Sequence, residues 1–107
     1  MILSLLLDAK IKRMIGVKFK KMMDLIEDFL HNTPKDIFEF SVLLEDMLVD
    51  DYDEMYSEQP AAVYYLSQEV PEICSEAEPG MTTEEINLFK EKISAEFEKA
   101  KKLITSL

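Results

Sequence analysis

Residues 82–102, TTEEINLFKEKISAEFEKAKK, decide the fold class. Ile86, Phe89, Ile93, Phe97 and Ala100 recur three or four residues apart, and Ile104 continues the line. That is the period of one buried face of an α-helix, whereas a strand would alternate every second residue. The start is marked as well. Thr82 and Glu85 have the spacing of a capping box, and Pro79-Gly80 just before them reads as a turn.

The same period appears upstream. Phe19, Met22, Met23, Ile26, Phe29 and Leu30 predict a helix that ends near His31-Asn32. Before it, residues 2–15 read as a helix or helical arm with Leu6, Leu7, Ile11, Met14 and Ile15 apolar, interrupted by Gly16. Thr33-Pro34-Lys35-Asp36 predicts a restart, with Thr33 as N-cap, Pro34 in the first turn and Asp36 at the positive end. The third helix then runs from Pro34 to about Tyr56, turning Ile37, Phe40, Leu44, Met47, Leu48 and Tyr52 to a core. Ser57-Glu58-Gln59-Pro60 is a break and restart. Residues 60 to about 69 are helical, and Pro71 should kink or restart that helix because it lacks a donor and clashes one turn back. With only two glycines in 107 residues, few long elements are expected. The chain reads as all-α, one domain over 1–107, a bundle of four to five helices.

Composition excludes several classes. A hydrophobic content of 48% rules out general disorder, and a net charge of −10 argues against nucleic acid or an anionic membrane as direct partner. Ile2–Leu7 is too short to span a bilayer, which takes about 20 residues. It also fails as a signal peptide, since Lys10, Lys12 and Arg13 follow the apolar run. Cys74 is the sole cysteine, which points to a reducing compartment, the cytoplasm. Residues 1–21 either join the core or precede a domain beginning at Met22 or Met23. Ile2–Leu7 is available for pairing between chains, and the oligomeric state is open.

The distribution of charge says more than its total. Residues 1–21 carry +5, residues 22–89 carry −17 and residues 90–107 carry +2. From Asp36 to Phe89 there are fifteen Asp or Glu and no Lys, Arg or His. Like-charge pairs at i,i+3 or i,i+4 each cost about 0.2–0.5 kcal/mol on a helix. Asp46–Asp50, Asp50–Asp53, Asp50–Glu54 and Glu72–Glu76 are such pairs, with no lysine nearby in sequence. A solvated surface that keeps the chain soluble is one reading. A surface built to meet a basic partner is the stronger one, because complementarity speeds association and excludes wrong partners.

Catalytic chemistry is scarce. His31 reads as a solvated helix-terminal residue, and Cys74 as a buried, inert thiol whose neighbours Glu72, Glu76 and Glu78 would raise its pKa. No glycine-rich phosphate loop and no Cys/His pair with zinc spacing is present. Asp50-Asp51-Tyr52-Asp53-Glu54 lacks the glycine of a calcium loop. No catalytic residue, cofactor or metal ligand is therefore assigned, although carboxylate chemistry leaves a small metal-dependent hydrolase as a third reading. The methionines read as gap-filling core more than as a binding groove. Tyr52, Tyr56, Tyr64 and Tyr65 are either interface anchors or half-buried edge residues.

Three stretches carry a resemblance. Met14–Phe19 is similar to a short turn into a second helix, Gln68–Gly80 to an acidic helix followed by a Glu-Pro corner, and Glu84–Lys102 to a closing amphipathic helix. Together they resemble the helical immunity proteins of colicin D and of contact-dependent growth inhibition systems, though the third helix is longer than in the colicin-type members. The resemblance implies a non-catalytic protein that sits on the active-site cleft of a cognate nuclease toxin domain. Carboxylates would occupy the basic groove made for RNA phosphates, and the toxin would be a tRNase. Clustering, not transfer from the family, names the candidates: Asp46, Asp50, Asp53 and Glu54 on the third helix, and Glu72, Glu76 and Glu78 near the Pro71–Pro79 corner. Tyr52 and Tyr56 would serve in place of a stacked base. The alternative is an acidic helical adaptor or nucleic-acid mimic that regulates another basic protein.

Overall fold

The computed structural model describes residues 15–34 and 36–105, which form five α-helices. These are α1 (Val17–His31), α2 (Ile37–Asp50), α3 (Tyr52–Glu58), α4 (Pro60–Cys74) and α5 (Thr83–Lys102). Among the described residues there is no strand, so the all-α reading holds. The expected arm over 1–16 lies outside them except for Ile15 and Gly16.

The N-cap of α1 is Gly16, whose φ of 95° suits glycine and few other residues. Phe19, Met22, Met23, Ile26 and Phe29 are buried on one face, as their spacing predicts. The cap of α2 differs from expectation. The Thr33 hydroxyl turns back and donates to the Phe29 carbonyl at 2.9 Å, and the Asp36 carboxylate accepts from Phe38 N–H at 3.0 Å. Asp36 is thus the N-cap, and the helix starts at Ile37 instead of Pro34.

The long third helix is two helices. α2 stops at Asp50 and the backbone turns at Asp51, with φ −106° and ψ 11°, before α3 resumes. Asp50 and Asp51 stand where α2 carries its partial negative charge, with no base in the last turn, so the helix end is poorly supported there. The turn buries Met55 completely and brings Glu58 to the start of α1.

α4 runs to Cys74 with Pro71 inside it, so the helix does not restart there and extends past the expected end near residue 69. Val70, Ile73 and Cys74 on either side of the proline are buried, and their burial outweighs its cost of about 3 kcal/mol. α5 opens with the capping box: Thr82 N–H donates to Glu85 Oε1 at 2.9 Å and Glu85 N–H to Thr82 Oγ1 at 3.2 Å. The Thr82 backbone N–H first, and the Thr82 hydroxyl second, hold the Glu85 carboxyl below the usual range.

α4 and α5 are the most extensively paired helices, and they run antiparallel. Gln59 at the start of α4 meets Thr105 beyond the end of α5, while Glu76 beyond α4 meets Lys92. α2 lies on α4 and α1 crosses α2, α3 and α5. Where α1, α2 and α5 meet, the Phe29 and Phe40 rings stack with centroids 3.9 Å apart, and Phe89 meets Phe29 edge-on at 5.8 Å.

Candidate interaction surface

Helix α2 decides what faces outward. Its core-facing line is Ile37, Phe40, Ser41, Leu44 and Leu48. Glu39, Asp46 and Asp50 follow one another at intervals of seven and four on the opposite side, so they form a ridge, and all three are exposed. Asp53 and Glu54 are exposed too, but on the first turn of α3. The carboxylates expected together on one third helix therefore stand at a corner between two helices. Among the described residues, no ion pair engages Asp46, Asp50, Asp53 or Glu54, while the intervening Asp51 is 3.7 Å from Lys18.

Tyr52 and Tyr56, one turn apart on α3, stack at 5.7 Å. Tyr52 leans half-buried on the core, whereas Tyr56 is 45% exposed. The other two tyrosines also divide. Tyr64 is exposed, and the Tyr65 hydroxyl donates to the Glu96 carboxylate. That bond, with burial and the charges of Glu96 and Glu69, pushes the Tyr65 pKa up to about 12.

The second acidic group is neither continuous with the first nor uncompensated. Glu76 receives Lys92 Nζ on both carboxylate oxygens at 2.8 Å, so a lysine from α5 relieves the charge that sequence neighbours leave alone. Glu72 and Glu78 remain exposed at the α4 end. Ser41 and Glu45 of α2 act on Cys74 at the end of α4, so the two helices lie antiparallel. The α2–α3 corner then sits beside the start of α4, and Glu72–Glu78 at and just past its far end, most of the length of a 15-residue helix about 22 Å long away.

Two features of this surface escaped the sequence reading. The first is apolar: Phe38, Val42, Leu43 and Val49 of α2 are 43%, 42%, 48% and 76% exposed. The second is a cleft of about 220 Å³ between the end of α1 and the start of α2. Leu25, Phe29, Phe40 and Leu43 line it together with Asp28, Asp36 and Glu39. The signal for the first was present only in part, since α2 carries more apolar residues than one buried stripe needs.

His31 is exposed and its Nδ1–H donates to the Glu27 carbonyl at 2.9 Å. Cys74 is buried; desolvation, and then the Glu45 charge, push its thiol up to about 12, against the opposing bond from Ser41. Glu45 across the helix pair, and not the Glu72, Glu76 and Glu78 expected, is the carboxylate that acts on it. Among the described residues no three His, Cys, Asp or Glu side chains converge in a way that could hold a metal ion. No described helix is long and apolar enough to cross a membrane. The chain matches no protein-family model, curated protein or solved structure.

Proposed function

We propose that the protein is a non-catalytic immunity protein, an antitoxin that binds a basic nuclease toxin domain, a tRNase, and blocks it in the cytoplasm. The observation that carries the reading is the α2–α3 corner, where Asp46, Asp50, Asp53 and Glu54 stand exposed with no ion pair among the described residues. The uncompensated carboxylates of Asp46 and Asp50, one turn apart at the negative end of α2, destabilise that helix, while Asp53 and Glu54 crowd further negative charge beside them from the first turn of α3. Their presence is accounted for by a partner whose lysines and arginines neutralise them in charge-assisted hydrogen bonds. A nuclease groove is lined with such bases because it has to hold a polyanion. Tyr56, exposed beside the corner, supplies a flat ring at the place of a stacked base, with Tyr52 behind it. The likeness of Gln68–Gly80 and Glu84–Lys102 to the colicin D and contact-dependent inhibition immunity proteins supports the same reading. Glu72 and Glu78 would make a second, smaller contact.

Affinity capture of the partner from the native cell, followed by an assay of that partner on tRNA with and without this protein, tests the proposal. The expected result is a basic partner whose cleavage stops on addition, with inhibition lost when Asp50 and Glu54 are reversed to lysine. A basic transcription or signalling protein as partner, or cleavage unaffected by the protein, would overturn it.

A further inference from the structure

The acidic corner leaves the apolar side of α2 unexplained. Phe38, Val42 and Val49, at intervals of four and seven residues, fall on one line along the 14-residue helix, beside the ridge of Glu39, Asp46 and Asp50. Exposed apolar side chains scattered singly need no explanation, but a row spanning most of a helix is what an interaction site looks like. Charge says what covers it. A second copy laid α2 to α2 would bring two carboxylate ridges together, which like-charge repulsion opposes. An occupant with bases set beside an apolar stripe satisfies both halves of the surface.

We infer that the outer face of α2 docks a cationic amphipathic helix of another protein, whose apolar side chains lie along Phe38, Val42 and Val49 and whose bases meet Glu39, Asp46 and Asp50. This inference rests on the reading of the partner as a basic protein, and it adds that affinity comes from apolar contact as much as from charge. Helix-in-groove recognition has this form, with anchors at i, i+3, i+4 and i+7. Leu43, on the other flank of the ridge, extends the surface into the α1–α2 cleft, where one long partner side chain fits.

The test uses a synthetic leucine–lysine helix of about 18 residues and its leucine-to-serine counterpart of equal charge, each titrated into the full chain and followed by backbone amide NMR. The leucine peptide is expected to shift α2 resonances and to bind about tenfold more weakly to a Val42→Ser/Val49→Ser variant. The serine peptide is expected to lose as much against the native protein. Equal binding of the two peptides, or shifts confined to α5, would overturn the inference, as would a dimer in sedimentation that Val49→Asp dissolves. Amides of residues 1–14 that lose protection as the peptide binds would overturn it in favour of an intramolecular cover. A captured nuclease still fully inhibited by the serine variant would remove this inference and leave the proposed function standing. A partner that is no nuclease but needs Val42 and Val49 would do the reverse.

Discussion

Glu58 caps a helix whose N-cap residue is Gly16, far away in sequence. Gly16 has no side chain to accept from the first turn of α1, and the Glu58 carboxylate takes that place, accepting from Phe19 N–H at 2.8 Å and from Lys18 N–H at 3.4 Å. The two residues are mutually required. A Cβ at position 16 would lie 2.4 Å from the Glu58 side chain, and a φ of 95° is strained for any residue with one. A negative charge at this end of α1 is also favoured by the helix dipole.

Glu58→Ala is therefore expected to destabilise the fold by about 1–2 kcal/mol, the range for loss of a good N-cap. For a domain of this size that lowers Tm by roughly 5–15 °C, measurable by circular dichroism. Gly16→Ala should cost more, because it strains the backbone and displaces the carboxylate together. Glu58→Gln should fall between native and Glu58→Ala, keeping the acceptor and losing the charge. A Tm for Glu58→Ala within a degree or so of native would mean that α1 does not depend on this cap.

Gln59, the neighbour of that cap, ties the two ends of the α4–α5 pair. It is 1% exposed; its Nε2–H donates to the Thr105 carbonyl at 2.7 Å, and its Oε1 accepts from Thr105 N–H at 2.8 Å. Gln59→Leu keeps the bulk and removes both bonds, so the chain beyond α5 should loosen first. Hydrogen exchange at the Thr105 amide is expected to accelerate at least tenfold, with a global loss of about 1–2 kcal/mol. Unchanged exchange at Thr105 would show that the Gln59 amide does not hold it.

Alkaline pH should destabilise the fold through two groups. Tyr65 and Cys74 both have pKa values pushed up to about 12 in the folded chain. The unfolded chain releases these protons at about 10 and 8.5, so it binds fewer protons than the folded chain above those values. Their contribution is complete below about pH 8.5 and is lost as pH rises toward 12. Denaturant titrations at pH 7.5 and 10.5 should show that loss, and Tyr65→Phe and Cys74→Ala should each reduce it. Ellman's reagent should accordingly react slowly with the native protein at pH 8 and rapidly once it is unfolded.

The helices that repeat an unbroken period are legible in the sequence alone. α1 and α5 were read from Phe19–Leu30 and Ile86–Ile104, because each buries a single stripe and each boundary carries a local signal. The break at Asp51 had no such signal. Met47, Leu48, Tyr52 and Met55 keep helical spacing across it without glycine or proline, and only the placement of Met55 and Glu58 turns the chain. Pro71 shows the opposite case, a strong local rule overridden by burial of Val70, Ile73 and Cys74. The cluster of carboxylates at the α2–α3 corner was legible from charge spacing, but its division between two helices was not, because the break at Asp51 is silent in the sequence. The pairing of Glu76 with Lys92 was not legible either, since the partner arrives from another helix. The apolar outer row of α2 was hidden because each of its members, taken alone, looks like core.

Asp50 is where stability and the proposed function pull apart. It closes α2 at the negative end of the helix dipole, one turn after Asp46, and α2 has no base in its last turn. Asp50→Lys turns an unfavourable dipole contact into a favourable one and the Asp46 repulsion into an attraction. Each is worth roughly 0.3–0.5 kcal/mol at an exposed site. The variant is expected to be more stable than native by about 0.5–1 kcal/mol, a gain that shrinks as salt is raised from 0.05 to about 0.5 M and screens both effects. The same substitution places a cation against the basic partner, so affinity should fall by at least about tenfold. A stabilised variant that binds poorly would identify the carboxylate as one retained for recognition. If Asp50→Lys were stabilised and bound its partner as tightly as native, Asp50 would lie outside the contact, and the acidic side of the interface would have to be sought among Asp53, Glu54 and the Glu72–Glu78 end.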